Sequence, residues 1–220
     1  MVVKTINSGS NGNCYIVSDS QYNSIILDCG LPFQQITSNS NFPKFSKIDF
    51  VFVSHCWHSD HNKSIKDFEL SGCEMLTYEM LEPKVQNWEY DNWNIITFPV
   101  SHNVPNWGIV IKSKIDNEKL CYMTDFNKAP LIEGCDIYLY EINYIEGYID
   151  QMIEKNKDLR TNGFVNHNSL ENAVTYFQKL KDKPKEIICC HLSPSNSIKS
   201  KILKTMQPFA DKVRIAEKEK

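Results

Sequence analysis

Apolar residues fall in short runs separated by polar turns along most of the chain, a pattern typical of strands and helices that share a core. Runs rich in β-branched and aromatic residues and bounded by Asn, Gly or Pro predict strands. The first two runs flank a polar turn, which predicts a hairpin. The predicted strands comprise residues 15–17, 25–27, 50–53, 74–77, 95–99, 108–111, 120–123, 136–140 and 187–190.

Two further segments predict helices. Residues 170–180 place apolar or small side chains three or four positions apart, as an amphipathic helix does, and residues 198–206 predict another helix. Neither an internal repeat nor a linker interrupts the chain, so we expect a single domain over residues 1–220. Strands on a two-layer core with helices outside predict an α/β or α+β fold.

The composition is that of a folded globular protein. Hydrophobic residues make up 41% of the 220 positions and charged residues 23%, which argues against disorder. No uncharged apolar run approaches the roughly 18 residues that a membrane span needs. The first residues lack a basic region followed by an apolar stretch, so we expect no signal peptide. These features predict a cytoplasmic protein, in the host cytosol if the Lys-, Asn- and Ile-rich sequence is that of a phage.

Charge is distributed unevenly along the chain. The formal net charge is −3, which argues mildly against a dedicated nucleic-acid-binding protein. However, residues 179–220 hold 11 Lys or Arg and five Asp or Glu, a net of +6. This basic segment either faces phosphate or forms an ordinary solvated surface, and the second interpretation is the more common one.

The eight cysteines favour reduced, buried thiols over disulfides. Most lie inside apolar runs, and the chain has no secretion signal. No Cys-x-x-Cys pair occurs, which argues against a zinc site built from cysteines.

The histidines are the clearest chemical signal in the sequence. Only six occur, and His55, His58 and His61 lie within seven residues, together with Asp60, directly after a predicted buried strand. Imidazole and carboxylate groups are ligands for zinc and similar ions. Core packing does not require such a density of polar side chains, so this cluster predicts a metal site.

Three more polar residues occupy the ends of predicted strands. His102 follows residues 95–99, Asp125 follows residues 120–123, and His191 follows residues 187–190. Strand ends at one edge of a sheet bring their side chains to a common site. We therefore expect these residues to join the histidine cluster.

Taken in order, these motifs resemble those of the metallo-β-lactamase-fold hydrolases over nearly the whole chain. The signature of that family is His-x-His-x-Asp-His after a strand, and residues 58–61 match its second half. The other matching segments are residues 8–14, 27–30, 101–105, 124–125 and 191–193. The resemblance implies a four-layer αββα sandwich that binds two divalent ions, of which zinc or manganese would suit the ligands.

The resemblance also implies which residues bind each ion. His55, His58 and His102 would bind the first ion. Asp60, His61 and His191 would bind the second ion, and Asp125 would bridge the two. Asp60 would therefore take part in catalysis as well as in metal binding. The resemblance further implies that Asp28 is a buried support for the histidine loop.

The sequence departs from the family signature at one point. His55 and His58 are separated by two residues instead of one. Either a small bulge absorbs the extra residue and keeps both ligands, or one histidine is displaced and the first metal site is weak.

Two residues point to the phosphodiesterase branch of the family, which includes ribonuclease Z-like nucleases and phage anti-Pycsar cyclic-nucleotide phosphodiesterases. In that branch a Glu after the bridging Asp works with a later His, and Glu141 and His167 resemble this pair. The resemblance implies that His167 protonates the leaving alkoxide and that Glu141 orients it. Bound metal ions would supply hydroxide at neutral pH for the attack.

The substrate class stays open at this point. The acidic body favours a small nucleotide, with a cyclic nucleotide preferred, whereas the basic segment favours a nuclease acting on DNA or RNA. A thioesterase or lactonase, or a binding module without catalytic activity, is also compatible with the fold. Three aromatic residues beside the predicted ligands are candidates to stack on a base, namely Trp57, Trp107 and Tyr144. The phosphodiesterase branch further implies a homodimer.

Overall fold

Two β-sheets form the body of the molecule. The structure, a computed structural model, describes residues 1–55, 59–147 and 166–218. In the described residues one sheet has five strands in the order β1-β2-β3-β4-β5, and the other has seven in the order β12-β11-β10-β9-β8-β7-β6.

The first sheet combines an antiparallel half with a parallel half. Strands β1, β2 and β3 pair antiparallel, and β4 and β5 continue parallel to β3. Its strands are β1 (Val2–Asn7), β2 (Cys14–Ser18), β3 (Ser24–Leu27), β4 (Ile48–Phe52) and β5 (Met75–Leu76).

The second sheet is arranged in the same way. Strands β6 to β9 form an antiparallel meander, and β9 to β12 are parallel. Its strands are β6 (Gln86–Glu89), β7 (Trp93–Val100), β8 (Asn106–Ser113), β9 (Lys119–Met123), β10 (Ile137–Glu141), β11 (Glu186–Cys190) and β12 (Lys212–Ile215).

Four of the five described α-helices pack on the outer faces of the sheets. The α-helices are α1 (Phe33–Thr37), α2 (Ser59–Asn62), α3 (Ile65–Leu70), α4 (Leu170–Phe177) and α5 (Lys199–Met206). Short 3₁₀ turns occur at Phe45–Lys47, Tyr78–Met80 and Gln207–Phe209.

Successive side chains of a strand point to opposite faces of the sheet, and the apolar ones form three layers. Inward-facing side chains of both sheets, such as Phe52 and Leu139, interdigitate in the central layer. Ile36 and Phe68 cover the outer face of the first sheet, whereas Phe177 and Ile202 cover that of the second. The predicted αββα sandwich is therefore confirmed.

The described cysteines are reduced and mostly buried, as the sequence predicts. All seven cysteines in the described ranges are free thiols, and six of them are buried. Among the helices described, none has the length and apolar character needed to cross a membrane.

Candidate metal centre

The carboxyl ends of six strands meet at one rim of the sandwich. Strands β3 and β4 of the first sheet lead into Asp28 and His55, and β7 leads into His102. In the second sheet β9 precedes Asp125, β10 ends at Glu141, and β11 precedes His191. This convergence follows from the parallel pairing, because parallel strands carry their carboxyl ends to the same edge.

The first group of potential ligands comprises Asp60, His61, Asp125 and His191. One ligand atom from each lies within 4.8 Å of those of the others. His61 Nε2 is 3.1 Å from Asp125 Oδ2 and 3.4 Å from Asp60 Oδ2. Three lone-pair-bearing atoms this close repel one another unless a proton or a cation lies between them. These residues are the four that the sequence assigned to the second ion and the bridge.

A second group joins His55 and His102 to the same aspartate. Their ligand atoms and that of Asp125 also lie within 4.8 Å of one another, and His55 Nε2 is 3.4 Å from Asp125 Oδ2. His58 lies outside the described residues. The structure thus brings together two of the three histidines expected at the first ion, and places Asp125 between the two groups.

Glu141 and His167 meet beside Asp125. His167 Nδ1 donates to Glu141 Oε1 at 2.7 Å and lies 3.4 Å from Asp125 Oδ1. The Glu141 carboxylate is fully buried and also accepts a hydrogen bond from the backbone N–H of Phe126. With Asp125 and His191 these two residues form a third set of ligand atoms within 4.8 Å, so their placement is compatible with proton transfer or with metal ligation.

Three residues of the rim have left-handed backbone conformations. The φ angles are 58° at Asp28, 49° at Asp125 and 53° at His191. Such angles are unfavourable for residues other than Gly, although Asp and His tolerate them better than most. Strain of this kind persists only where surrounding contacts enforce it, and it clusters at functional sites.

Burial among carboxylates sets the charge of the centre. Burial alone would lower the pKa of His191, but the Asp125 and Asp60 carboxylates outweigh it and raise the pKa to about 9. The same balance raises the pKa of His61, with Asp28 and Asp125 as the opposing carboxylates. Conversely, His191 and His61 hold the pKa of the Asp125 carboxyl well below its usual range despite burial. The centre therefore requires positive charge, from protons or from a metal ion.

The donor set fits divalent metal ions. Imidazole nitrogens and carboxylate oxygens are suitable ligands for zinc and manganese. His191 Nε2 is buried without a hydrogen-bond partner in the described part of the chain, and Asp60 Oδ2 lies 3.5 Å from it. A metal ion would satisfy this nitrogen and replace the protons that the carboxylates otherwise keep on the histidines.

The buried Asp28 carboxylate positions His61 and the backbone at Ser54. Its Oδ2 accepts hydrogen bonds from His61 Nδ1 at 2.6 Å and from the Tyr122 hydroxyl at 2.5 Å. Its Oδ1 accepts one from the Ser54 backbone N–H at 2.8 Å. Because His61 Nδ1 is used as a donor, Nε2 is the nitrogen left to face the cluster. Sequence reasoning identified Asp28 but not Tyr122 or Ser54, which read as ordinary core and loop residues.

We expect Tyr122→Phe to weaken metal binding without altering packing. The substitution removes one donor from a buried carboxylate, which costs about 1.5–3 kcal/mol of unfolding free energy, and loosens the support of His61, which lowers metal affinity about tenfold or more. Urea unfolding and competition with a chromophoric chelator measure the two effects. Tyr138→Phe is the control, since its buried hydroxyl donates to Ile132 O away from the centre. Equal metal affinity in both variants would refute the support role.

Asn13 and Cys29 anchor the short helix α2, which carries Asp60 and His61. The Asn13 N–H donates to Asp60 O at 2.6 Å, and the Asn13 amide nitrogen lies 3.0 Å from His61 Nε2. The Cys29 N–H donates to His61 O at 2.8 Å. Sequence analysis placed Asn13 and Cys29 in segments that match the family motifs, residues 8–14 and 27–30, without assigning them these contacts.

Gly30→Ala should displace the helix that carries Asp60 and His61. A Cβ at position 30 would lie 1.6 Å from Asp60 O, a backbone atom that cannot rotate away. We expect a loss of about 1–3 kcal/mol in unfolding free energy, the usual cost of overpacking, together with weaker metal binding. Gly147→Ala is the control, because a Cβ there meets nothing within 4 Å. Thermal melts and metal titrations that match the wild-type protein would contradict this expectation.

The aromatic residues expected near the substrate divide into three cases. Trp107 is 5% exposed, packs in the central layer and donates from Nε1 to Glu82 O. Its proposed stacking on a base is therefore wrong, because strand β8 directs the ring into the core. Tyr144 is partly exposed. Trp57 lies outside the described residues.

Comparison with known proteins gives likenesses in structure only. No protein-family profile matches the sequence, and no curated protein matches it. YhfI from Bacillus subtilis, a metallo-β-lactamase fold protein, superposes with a TM-score of 0.71 at 15% identity, over 99% of this chain and 97% of that one. The human short-form tRNase Z gives 0.64 at 16% identity, over 99% and 96%. Unliganded yeast PDE1 gives 0.60 at 10% identity, over 97% and 96%. The chain has the metallo-β-lactamase fold.

Proposed function

We propose that this chain, with its metallo-β-lactamase fold and its rim of histidines and carboxylates, is a metal-dependent phosphodiesterase. The proposed substrate is a small nucleotide phosphodiester, with a cyclic nucleotide preferred. The observation that carries the proposal is the 2.7 Å hydrogen bond between His167 and Glu141 beside Asp125. A ribose alkoxide is a poor leaving group, so its departure benefits from a positioned proton donor.

In this proposal the residues of the centre have distinct roles. Bound divalent ions would supply positive charge that polarises the phosphodiester and acidifies a water molecule. Asp60, His61, Asp125 and His191 would hold the ions, with His55, His58 and His102 as the remaining ligands. Glu141 fixes the ring of His167 through Nδ1, which leaves Nε2 to carry a proton to the leaving oxygen.

The charges of the C-terminal segment support a small substrate. In the described part of the segment, six basic residues form ion pairs with carboxylates, namely Lys181, Lys183, Lys185, Lys199, Lys212 and Arg214. Three of the partners, Glu118, Glu133 and Asp136, lie outside the segment and offset about half of its net charge of +6, so less positive charge is left to attract a polyanion. A nuclease is the second candidate, and the likeness to human tRNase Z favours it.

Hydrolysis assays on a single preparation whose metal content is measured test the proposal. The substrates are bis-p-nitrophenyl phosphate, a panel of 3′,5′-cyclic nucleotides, and single- and double-stranded oligonucleotides. An acyl thioester and a lactone test the remaining activities of the fold. Elemental analysis of the same sample counts the ions, and chelation followed by restoration of Zn²⁺ or Mn²⁺ tests whether turnover depends on them.

We expect two ions per chain and turnover of cyclic nucleotides that chelation abolishes. Cleavage of oligonucleotides without cyclic-nucleotide turnover would replace the proposal with a nuclease. Turnover of the thioester or lactone alone would replace it with an acyl hydrolase. A metal-loaded protein inactive on every substrate would refute the enzymatic proposal.

A further inference from the structure

A cavity lies at the opposite end of the first sheet from the metal centre. It has a volume of about 490 Å³ and lies between the turn at residues 19–23 and the segment 41–47. Ser24 lines it at the start of strand β3, whose other end leads to Asp28. The volume is within the range of small-molecule sites, roughly 300–1,000 Å³.

Three lysines line this cavity without a carboxylate partner. The Lys4 ammonium contacts the Asn41 side-chain oxygen at 2.9 Å, and the Lys47 ammonium contacts the Asn23 side-chain oxygen at 3.2 Å. Lys44 lines the same cavity. Within the described ranges none of the three forms an ion pair, in contrast to the paired lysines near the C-terminus.

The single carboxylate in the lining is already satisfied. Asp19 is 4% exposed, and its oxygens accept hydrogen bonds from the Gln21 and Asn23 backbone N–H groups and from the Asn23 amide. These donors hold Asp19 in its turn, and one carboxylate is set against three lysines in the lining. The cavity therefore has an excess of positive charge in a chain whose net charge is −3.

Aromatic and apolar side chains lie beside these charges. Tyr22 is 75% exposed at the edge of the cavity, and its φ angle is 65°. This φ angle belongs to the hairpin turn at residues 19–23, and the exposed ring is available to stack on a ligand. Phe42 and Pro43 add apolar surface.

We propose that this cavity binds a nucleoside phosphate. The lysines would pair with the phosphate, and the Tyr22 ring would stack on the base. The site is separate from the metal centre and does not depend on the proposed hydrolysis.

Isothermal titration calorimetry of the metal-loaded protein with AMP tests the proposal. Adenosine and inorganic phosphate are titrated in parallel to separate the base from the charge. The cavity variants are Lys44→Gln combined with Lys47→Gln, and Tyr22→Ala. The matched control is Lys201→Gln combined with Lys204→Gln, two exposed lysines of helix α5 that make the same change in net charge. Asp125→Asn reports binding at the metal centre.

We expect AMP affinity to fall about tenfold or more in both cavity variants, with diester hydrolysis unchanged. The lysine control and Asp125→Asn should bind AMP as the wild-type protein does. Absence of AMP binding, loss of binding in Asp125→Asn alone, or equal affinity for AMP and inorganic phosphate would overturn the proposal.

Discussion

Asp125→Asn should abolish nearly all activity of the metal-loaded protein. Asp125 belongs to all three sets of potential ligands, and its two oxygens face His55, His61, His167 and His191. Replacing the carboxylate removes the charge that links the two ion positions, and we expect kcat/KM to fall at least about 10³-fold, several kcal/mol of transition-state stabilisation. Asn is the substitution of choice because it tolerates the left-handed conformation at this position.

Metal content separates a bridging role from a merely structural one. We expect Asp125→Asn to bind fewer ions, or both ions more weakly, with a far-ultraviolet spectrum like that of the wild-type protein. Asp211→Asn is the control, since its carboxylate is exposed and pairs with Lys183, away from the centre. A variant that retains both ions at wild-type affinity and more than a tenth of the activity would exclude the bridge.

Much of the fold could be predicted because central strands carry their own signal. Each of the nine predicted strands overlaps an observed one, since buried runs such as Ile187 to Cys190 are apolar on both faces. The strands that the sequence analysis missed lie at or beside sheet edges, namely Val2–Asn7, Gln86–Glu89 and Lys212–Ile215. Pairing with a neighbour stabilises Lys212–Ile215 although its sequence is highly charged.

The candidate site was predictable where rare residue types mark strand ends. His61, Asp125 and His191 carry that signal in their chemistry, and the structure brings them together; their role as ligands stays a prediction. The residues that hold them carry no such signal. Tyr122 and Asn13 are common types, and their partners are 94 and 48 positions away, so only the folded topology reveals the contact.

The charge state of the centre connects the fold to the proposed reaction. Four carboxylates, Asp28, Asp60, Asp125 and Glu141, converge with histidines at the mouth of the sandwich. Such a cluster is stable only with added positive charge, because like charges at this spacing disfavour joint ionisation. The close carboxylates thus raise the free energy of the folded protein without a cation, and for the same reason they favour the binding of one.

His167→Ala should slow the reaction in a way that depends on the leaving group. For a cyclic nucleotide, whose leaving oxygen is an alkoxide, we expect kcat to fall about 10²–10³-fold, the usual contribution of a general acid. For bis-p-nitrophenyl phosphate, whose leaving group needs no proton, the loss should stay below about tenfold. Parallel kinetics on the two substrates check the ratio.

Metal analysis of the same variant completes the test, because His167 also belongs to a set of potential ligands. The general-acid role requires unchanged metal content, and Glu141→Gln should reproduce the leaving-group dependence in weaker form, since an amide still fills the space beside His167 Nδ1 but no longer carries the charge that holds its proton. Equal losses on both substrates, accompanied by loss of an ion, would instead make His167 a ligand and remove the proton donor from the proposed mechanism.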